Sequence, residues 1–197
     1  MKHGAISIVF LIFLMGRIDA QEIKTGMFFP AVTSFSLTDV NKEAPAFINV
    51  SEKALQLFVF ISPECPLCQN YSSVIQSIQD KYQQQLQVYA IVPGNAYDSK
   101  TIALFKQKYQ NSFAFFTDSS MQLTKYLQAT VTPQVVLLNQ HMQLIYSGAI
   151  DNWAIAVGKK RSKATEFYLL NAIESTLHKQ PVLISHTRPV GCKINDY

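Results

Sequence analysis

The chain has 197 residues, of which 48% are hydrophobic, 12% aromatic and 15% charged. That length suits one globular domain that buries its own core, and low charge with high aromatic content excludes an intrinsically disordered chain. Seven glycines and eight prolines exclude collagen-like and linker classes, three cysteines are too few for a cysteine-knot scaffold or a four-cysteine zinc site, and a net charge of +4 does not argue for nucleic-acid binding.

The N-terminus reads as a targeting segment. Lys2 and His3 precede an uncharged apolar run from Ala5 to Met15, which fits a signal-peptide core and is too short to span a bilayer comfortably. Ala20 is a small residue at a suitable cleavage position. The expectation is a signal peptide over residues 1–20; left uncleaved, it would tether the protein to the membrane. In both cases the domain, residues 21–180, faces the periplasm or another extracytoplasmic compartment, where disulfides persist.

The elements of that domain alternate. Phe35 to Val40 predicts a short strand with a polar turn at Asn41-Lys42. Leu55 to Ile61 is nearly continuous and apolar, as expected of a strand buried on both faces. Tyr71, Val74, Ile75, Ile78 and Tyr82 then recur at helical spacing. Gln87 to Val92 predicts the next strand, and Ser99 is placed to cap a helix carrying Ile102, Leu104, Phe105 and Tyr109. A short strand over Phe113 to Phe116 and a short helix over Met121 to Leu127 follow. Gln134 to Leu138 and Gln143 to Gly148 flank Asn139-Gln140 and read as a hairpin. Gly158 to Lys163 reads as a solvated basic loop or a docking patch for an acidic partner, and a last helix is expected from about Thr165 to Leu177. The order implies an α/β fold with a central mixed sheet flanked by helices.

Cys65-Pro66-Leu67-Cys68 lies between the buried strand and the amphipathic helix. A thiol at a helix N-terminus meets unpaired N–H groups and the positive end of the helix dipole, which stabilise its thiolate. Pro66 suits the first turn, where its missing N–H costs nothing. Cys65 would attack a disulfide and Cys68, one turn on, would resolve the mixed disulfide. Two zinc ligands or two buried thiols are the other readings. The zinc reading lacks a second Cys/His pair at ligand spacing, since His141, His178 and His186 stand alone, so no metal and no bound cofactor is expected. No histidine adjoins the thiols to depress their pKa strongly.

Thr132-Pro133 opens the strand over Gln134 to Leu138, about sixty-five residues after the thiols. A strand, then Phe60 to Cys68, a helix, and later Val131-Thr132-Pro133-Gln134 together resemble the thioredoxin superfamily over roughly residues 27–180. Residues 21–50 resemble the extra N-terminal β segment of its redoxin-type branch, which holds peroxiredoxin-like and extracytoplasmic thioredoxin-like proteins. The resemblance implies that Pro133 is a cis-proline packed on the cysteine pair and that Thr132 offers backbone hydrogen bonds to an extended substrate. It further implies catalytic roles for Cys65 as nucleophile and Cys68 as resolving thiol. It implies a thiol-disulfide oxidoreductase acting on protein dithiols and disulfides, with a membrane redox partner left open. Two alternatives accompany it: a peroxiredoxin-like thiol antioxidant, and a copper-binding thioredoxin-like module. The chain departs from the patterns of these families in several places. Ser62-Pro63-Glu64 stands where thioredoxins carry Trp, and the dipeptide between the cysteines is Pro-Leu. Phe58 occupies the position of the peroxidatic proline, and the cysteine spacing is one residue short of a copper chaperone's.

Thr187-Arg188-Pro189-Val190-Gly191-Cys192-Lys193-Ile194 resembles the tail of a group of bacterial secreted redoxin-domain proteins. Residues 181–197 are expected to run extended over the domain, with Val190, Cys192 and Ile194 on one strand face and packed against it. Cys192 is left as a third redox thiol, a dimer-forming cysteine or a buried small residue.

Overall fold

The computed structural model describes residues 27–195. The expected signal peptide and its cleavage position lie outside the described residues. A 3-10 helix, Pro30–Ser34, leads into a short antiparallel pair, β1 (Leu37–Asp39) and β2 (Ala44–Ala46). β3 (Leu55–Phe60), α1 (Pro66–Lys81), β4 (Leu86–Pro93), α2 (Ser99–Lys108) and β5 (Ala114–Asp118) follow as two parallel crossover units. Next come α3 (Gln122–Tyr126), β6 (Val131–Thr132), and the hairpin of β7 (Gln134–Asn139) with β8 (Leu144–Gly148). A small ribbon, β9 (Ala154–Ala156) with β10 (Lys159–Lys160), precedes α4 (Tyr168–Leu177) and the tail strand β11 (Cys192–Lys193).

The described residues form a seven-stranded mixed sheet in the order β2-β1-β5-β4-β3-β7-β8. All six residues of β3 are buried, because helices cover one face and α3 with the N-terminal segment covers the other. Leu57 and Val59 point into the layer of α1, α2 and α4; Phe58 and Phe60 point into the opposite layer with Leu123 and Leu127. Each such apolar side chain contributes roughly 1.5–3 kcal/mol by leaving water. One polar residue sits in this strand. Gln56 is satisfied by donating to the Ser51 and Lys53 carbonyls, both at 2.9 Å, and by accepting from the Tyr89 hydroxyl at 3.1 Å.

The structure corrects several expectations. Val74 and Leu104 face solvent, although both fit the helical spacing of their apolar neighbours. Asp98, not Ser99, caps α2: its carboxylate accepts from the Thr101 amide at 2.7 Å, leaving Ser99 as the first helical residue. α4 begins at Tyr168 because the Thr165 and Glu166 amides are taken by the Asn152 side chain, at 2.9 and 3.2 Å. The basic stretch is partly ordered as β10, with Lys160 lying over the Trp153 ring at 5.1 Å.

Candidate functional site

Cys65 follows the C-terminal end of β3 and is the N-cap residue of α1, with extended dihedrals (φ −71°, ψ 117°) and Pro66 at the next position. The chain must turn sharply from strand to helix there. The Cys65 amide closes the turn on the Ser62 carbonyl at 3.2 Å. Cys68 lies one turn into α1 and is buried; its sulfur accepts from the Ser62 amide at 3.4 Å. Ser62 in turn donates its hydroxyl to Tyr97 at 3.0 Å, which ties the turn to the loop after β4.

β6 brings the second half of the site. The Thr132–Pro133 bond is cis, and Pro133 lines a small cavity together with Cys68, Tyr71 and Ile150. The protonated Cys65 thiol donates to the Thr132 carbonyl at 3.1 Å. Thr132 thus meets the thiol directly through its backbone, although 67 residues separate the two.

The tail returns to the same point. β11 pairs antiparallel with β6, with Cys192 opposite Thr132 and Lys193 opposite Val131, and the Ile194 amide extends the ladder to the Thr130 carbonyl at 3.1 Å. Val190 and Cys192 pack on the layer of α1, whereas Ile194 packs on the opposite layer. The expectation of one shared face is corrected, because the tail crosses the end of the sheet rather than lying along one side of it. The structure therefore gathers Cys65, Cys68, Thr132, Pro133 and Cys192 into one cluster.

The electrostatics of the three thiols diverge. The Cys65 pKa is lowered to about 4, first by a hydrogen bond from the Cys68 thiol, against the opposing effect of burial, and further by the Cys192 thiol and the backbone amides of Cys68 and Cys192. Ionisation trades the bond to the Thr132 carbonyl for these donors. Burial pushes the Cys68 thiol well above its ordinary value, and the neighbouring Cys65 adds to the effect. Burial and Cys65 push Cys192 up to about 12. The absence of a nearby histidine suggested weaker depression at Cys65; sulfur and backbone donors do the work instead. Among the described residues, no three His, Cys, Asp or Glu side chains converge as a metal-ligand set.

A cavity of about 310 Å³ opens in front of Cys65, bounded by Ser62, Glu64, Tyr97, Thr132 and Cys192. Ser62 was noted only as a departure before the first cysteine, and Tyr97, which lies in no motif, was not singled out from sequence. Gly191 was visible only as part of the tail pattern. A Cβ there would meet the Thr132 oxygen at 2.3 Å, so glycine is what lets the tail approach.

No family model and no curated protein matches the chain. Solved structures do. An uncharacterized conserved protein from Geobacillus kaustophilus is 18% identical, with a TM-score of 0.75 over 90% of this chain and 94% of that one. A thioredoxin-like protein from Aeropyrum pernix is 15% identical, with a TM-score of 0.54 over 74% of this chain and 88% of its own. A secreted Mycobacterium tuberculosis disulfide oxidoreductase, homologous to E. coli DsbE, is 16% identical, with a TM-score of 0.51 over 58% of this chain and 83% of its own. The fold is thioredoxin-like, as the sequence resemblance implied.

Proposed function

We propose that this thioredoxin-like protein is an extracytoplasmic thiol-disulfide oxidoreductase that exchanges electrons with protein dithiols and disulfides through Cys65 and Cys68. The observation that carries the reading is the contrast between the two thiols. Cys65 is held as a thiolate at the head of α1, while Cys68 one turn away is held protonated. The resemblance to a secreted disulfide oxidoreductase and the signal-like N-terminus support the compartment.

The exchange follows from these states. The Cys65 thiolate attacks one sulfur of a substrate disulfide; the S–S bond breaks and one substrate thiolate leaves with the electron pair. Burial still opposes ionisation of Cys68, but Cys65 is now neutral, so the part of the opposition that its charge supplied is gone. Cys68 gives its proton to the first substrate thiolate and attacks the Cys65 sulfur, expelling the second substrate thiolate. The substrate gains two electrons and the pair becomes a disulfide. The reverse sequence oxidises a partner dithiol. Stabilising the Cys65 thiolate favours the dithiol form of the pair, so the reverse direction is the favoured one.

Equilibration of the pair with a glutathione buffer tests this. A reduction potential nearer about −120 mV than about −270 mV is expected. Cys65→Ser should abolish exchange with reduced model proteins, and Cys68→Ser should trap mixed disulfides between Cys65 and protein partners. Faster alkylation of Cys68 than of Cys65 in the reduced protein would reverse the assigned roles. A peroxide-reducing role is the weaker reading, since Phe58 is buried where the peroxidatic proline would stand.

A further inference from the structure

The C-terminal strand lies against the reactive thiol in a way that packing alone does not require. β6 is a two-residue strand whose sheet partner is β11. The Thr132 carbonyl that receives the Cys65 thiol belongs to the residue facing Cys192 across that ladder. A strand laid on β6 therefore delivers the side chain opposite Thr132 to Cys65, and in this chain that side chain is a thiol. Burial chiefly raises the Cys192 pKa and Cys65 adds to it, and Cys192 adds to the lowering at Cys65 that the Cys68 thiol leads.

The approach is built on both sides of Cys192. Upstream, the Thr187 hydroxyl is held by the Tyr146 hydroxyl at 2.5 Å and the Ala149 amide at 3.0 Å. Downstream, Ile194 is buried in the layer opposite α1. Between the anchors, Gly191 passes so close to Thr132 that a side chain would strike the Thr132 carbonyl oxygen and carbon, at 2.3 and 2.7 Å. Backbone edges left unpaired beside a site recruit extended segments; here the chain supplies one of its own.

We propose that Cys192 is a second resolving thiol for Cys65, carried by a tethered strand in the place of an extended substrate, so that a polypeptide reaches Cys65 only when that strand is displaced. This rests on Cys65 being the exchanging thiol. A small disulfide enters the cavity in front of Cys65 without moving the tail. The Cys65 thiolate attacks it and releases one small thiolate. Cys192 gives up its proton to that thiolate, attacks the Cys65 sulfur and expels the second. The small disulfide is reduced to two thiols and a Cys65–Cys192 disulfide forms. Cys68 then attacks Cys65, re-forms the Cys192 thiol and completes the Cys65–Cys68 disulfide with no further change in electrons. The strand is then no longer bonded and can yield to a protein dithiol.

The test uses the full chain with glutathione disulfide as oxidant. In Cys68→Ser, non-reducing peptide mapping by mass spectrometry should find a Cys65–Cys192 disulfide in most molecules, and adding Cys192→Ser should convert it to a glutathione adduct on Cys65. Gly191→Val should abolish the Cys65–Cys192 bond and raise the rate of exchange with an extended reduced peptide several-fold. Cys192→Ser, a conservative change, should leave the fold intact by circular dichroism and separate loss of the thiol from loss of the strand. A stable glutathione adduct on Cys65 in Cys68→Ser, with Cys192 free, overturns the inference and leaves the oxidoreductase reading standing. A Cys65 that stays reduced, bonded neither to glutathione nor to Cys192, overturns both.

Discussion

Tyr71 donates its hydroxyl to the buried Asp151 carboxylate at 2.5 Å, and the same carboxylate oxygen accepts from the Trp153 amide at 2.8 Å. Tyr71 also meets the Trp153 ring edge-on at 5.5 Å. This joins α1 to the loop after β8 just beneath Cys68, since Tyr71 lies three residues on and lines the same small cavity. Tyr71→Phe removes one donor from a buried carboxylate. The loss should lower unfolding stability by about 1–3 kcal/mol in denaturant titration. Alkylation of Cys65 should change little, because its own donors are untouched.

The ultraviolet absorbance of the thiolate in the reduced protein should titrate with a midpoint near pH 4 and vanish in Cys65→Ser. The Cys68 thiol is the largest contributor to that shift and Cys192 a lesser one. Cys68→Ala should therefore raise the midpoint more than Cys192→Ala does. The opposite ranking would show that the tail, not the helix thiol, sets the acidity of Cys65.

Stability should also follow this titration. The folded pKa of Cys65 lies below its ordinary value of 9.0, so its contribution is fully present above about pH 9 and is lost as pH falls toward 4. Cys68 and Cys192 are raised, so their contribution is complete below pH 9 and is lost only at higher pH. Between those limits the reduced protein should lose stability on acidification relative to Cys65→Ser. Denaturant midpoints of the two proteins across that range measure the difference, and parallel curves would contradict it.

Asp98→Ala should lower the melting temperature through loss of the α2 cap. Ser99→Ala should have little effect by comparison, because Ser99 is helical. Thermal melts of the two variants distinguish the residues directly.

Much of this arrangement was legible in the sequence because its signals are local. Leu55 to Ile61 is apolar without interruption, and Tyr71, Ile75, Ile78 and Tyr82 keep helical spacing, so the strand and helix around Cys65 could be placed. Thr132-Pro133 was recognisable at the opening of its strand. The tail's partner was not. A two-residue ladder between Val131–Thr132 and Cys192–Lys193 joins positions some sixty residues apart and leaves no periodicity. The late start of α4 was also hidden, since it depends on Asn152 taking amides that local spacing assigns to the helix. Ala44-Pro45-Ala46 gave no strand signal of its own, because a proline there is tolerated only on an edge.

The margins of the seven-stranded sheet show what else the tail does. At one margin, β2 is three residues long and centred on Pro45, which offers no amide to a further strand. At the other, β8 is bordered by the tail: the Ser147 amide donates to Ser185 at 3.0 Å, and Thr187 donates back to Ser147 at 3.1 Å. The Leu144 amide at the start of β8 donates to Met27 at 2.8 Å, so among the described residues both margins are shortened or covered against a second chain. The stretch that seals β8 ends only five residues before the thiol that meets Cys65. Shortening the chain after residue 188 should thus free the thiol site while the sheet margin stays covered, whereas shortening it after residue 184 should also uncover the C-terminal end of β8 at Ser147. One terminal segment thus borders the end of β8 with its first half and lies against the thiols with its second.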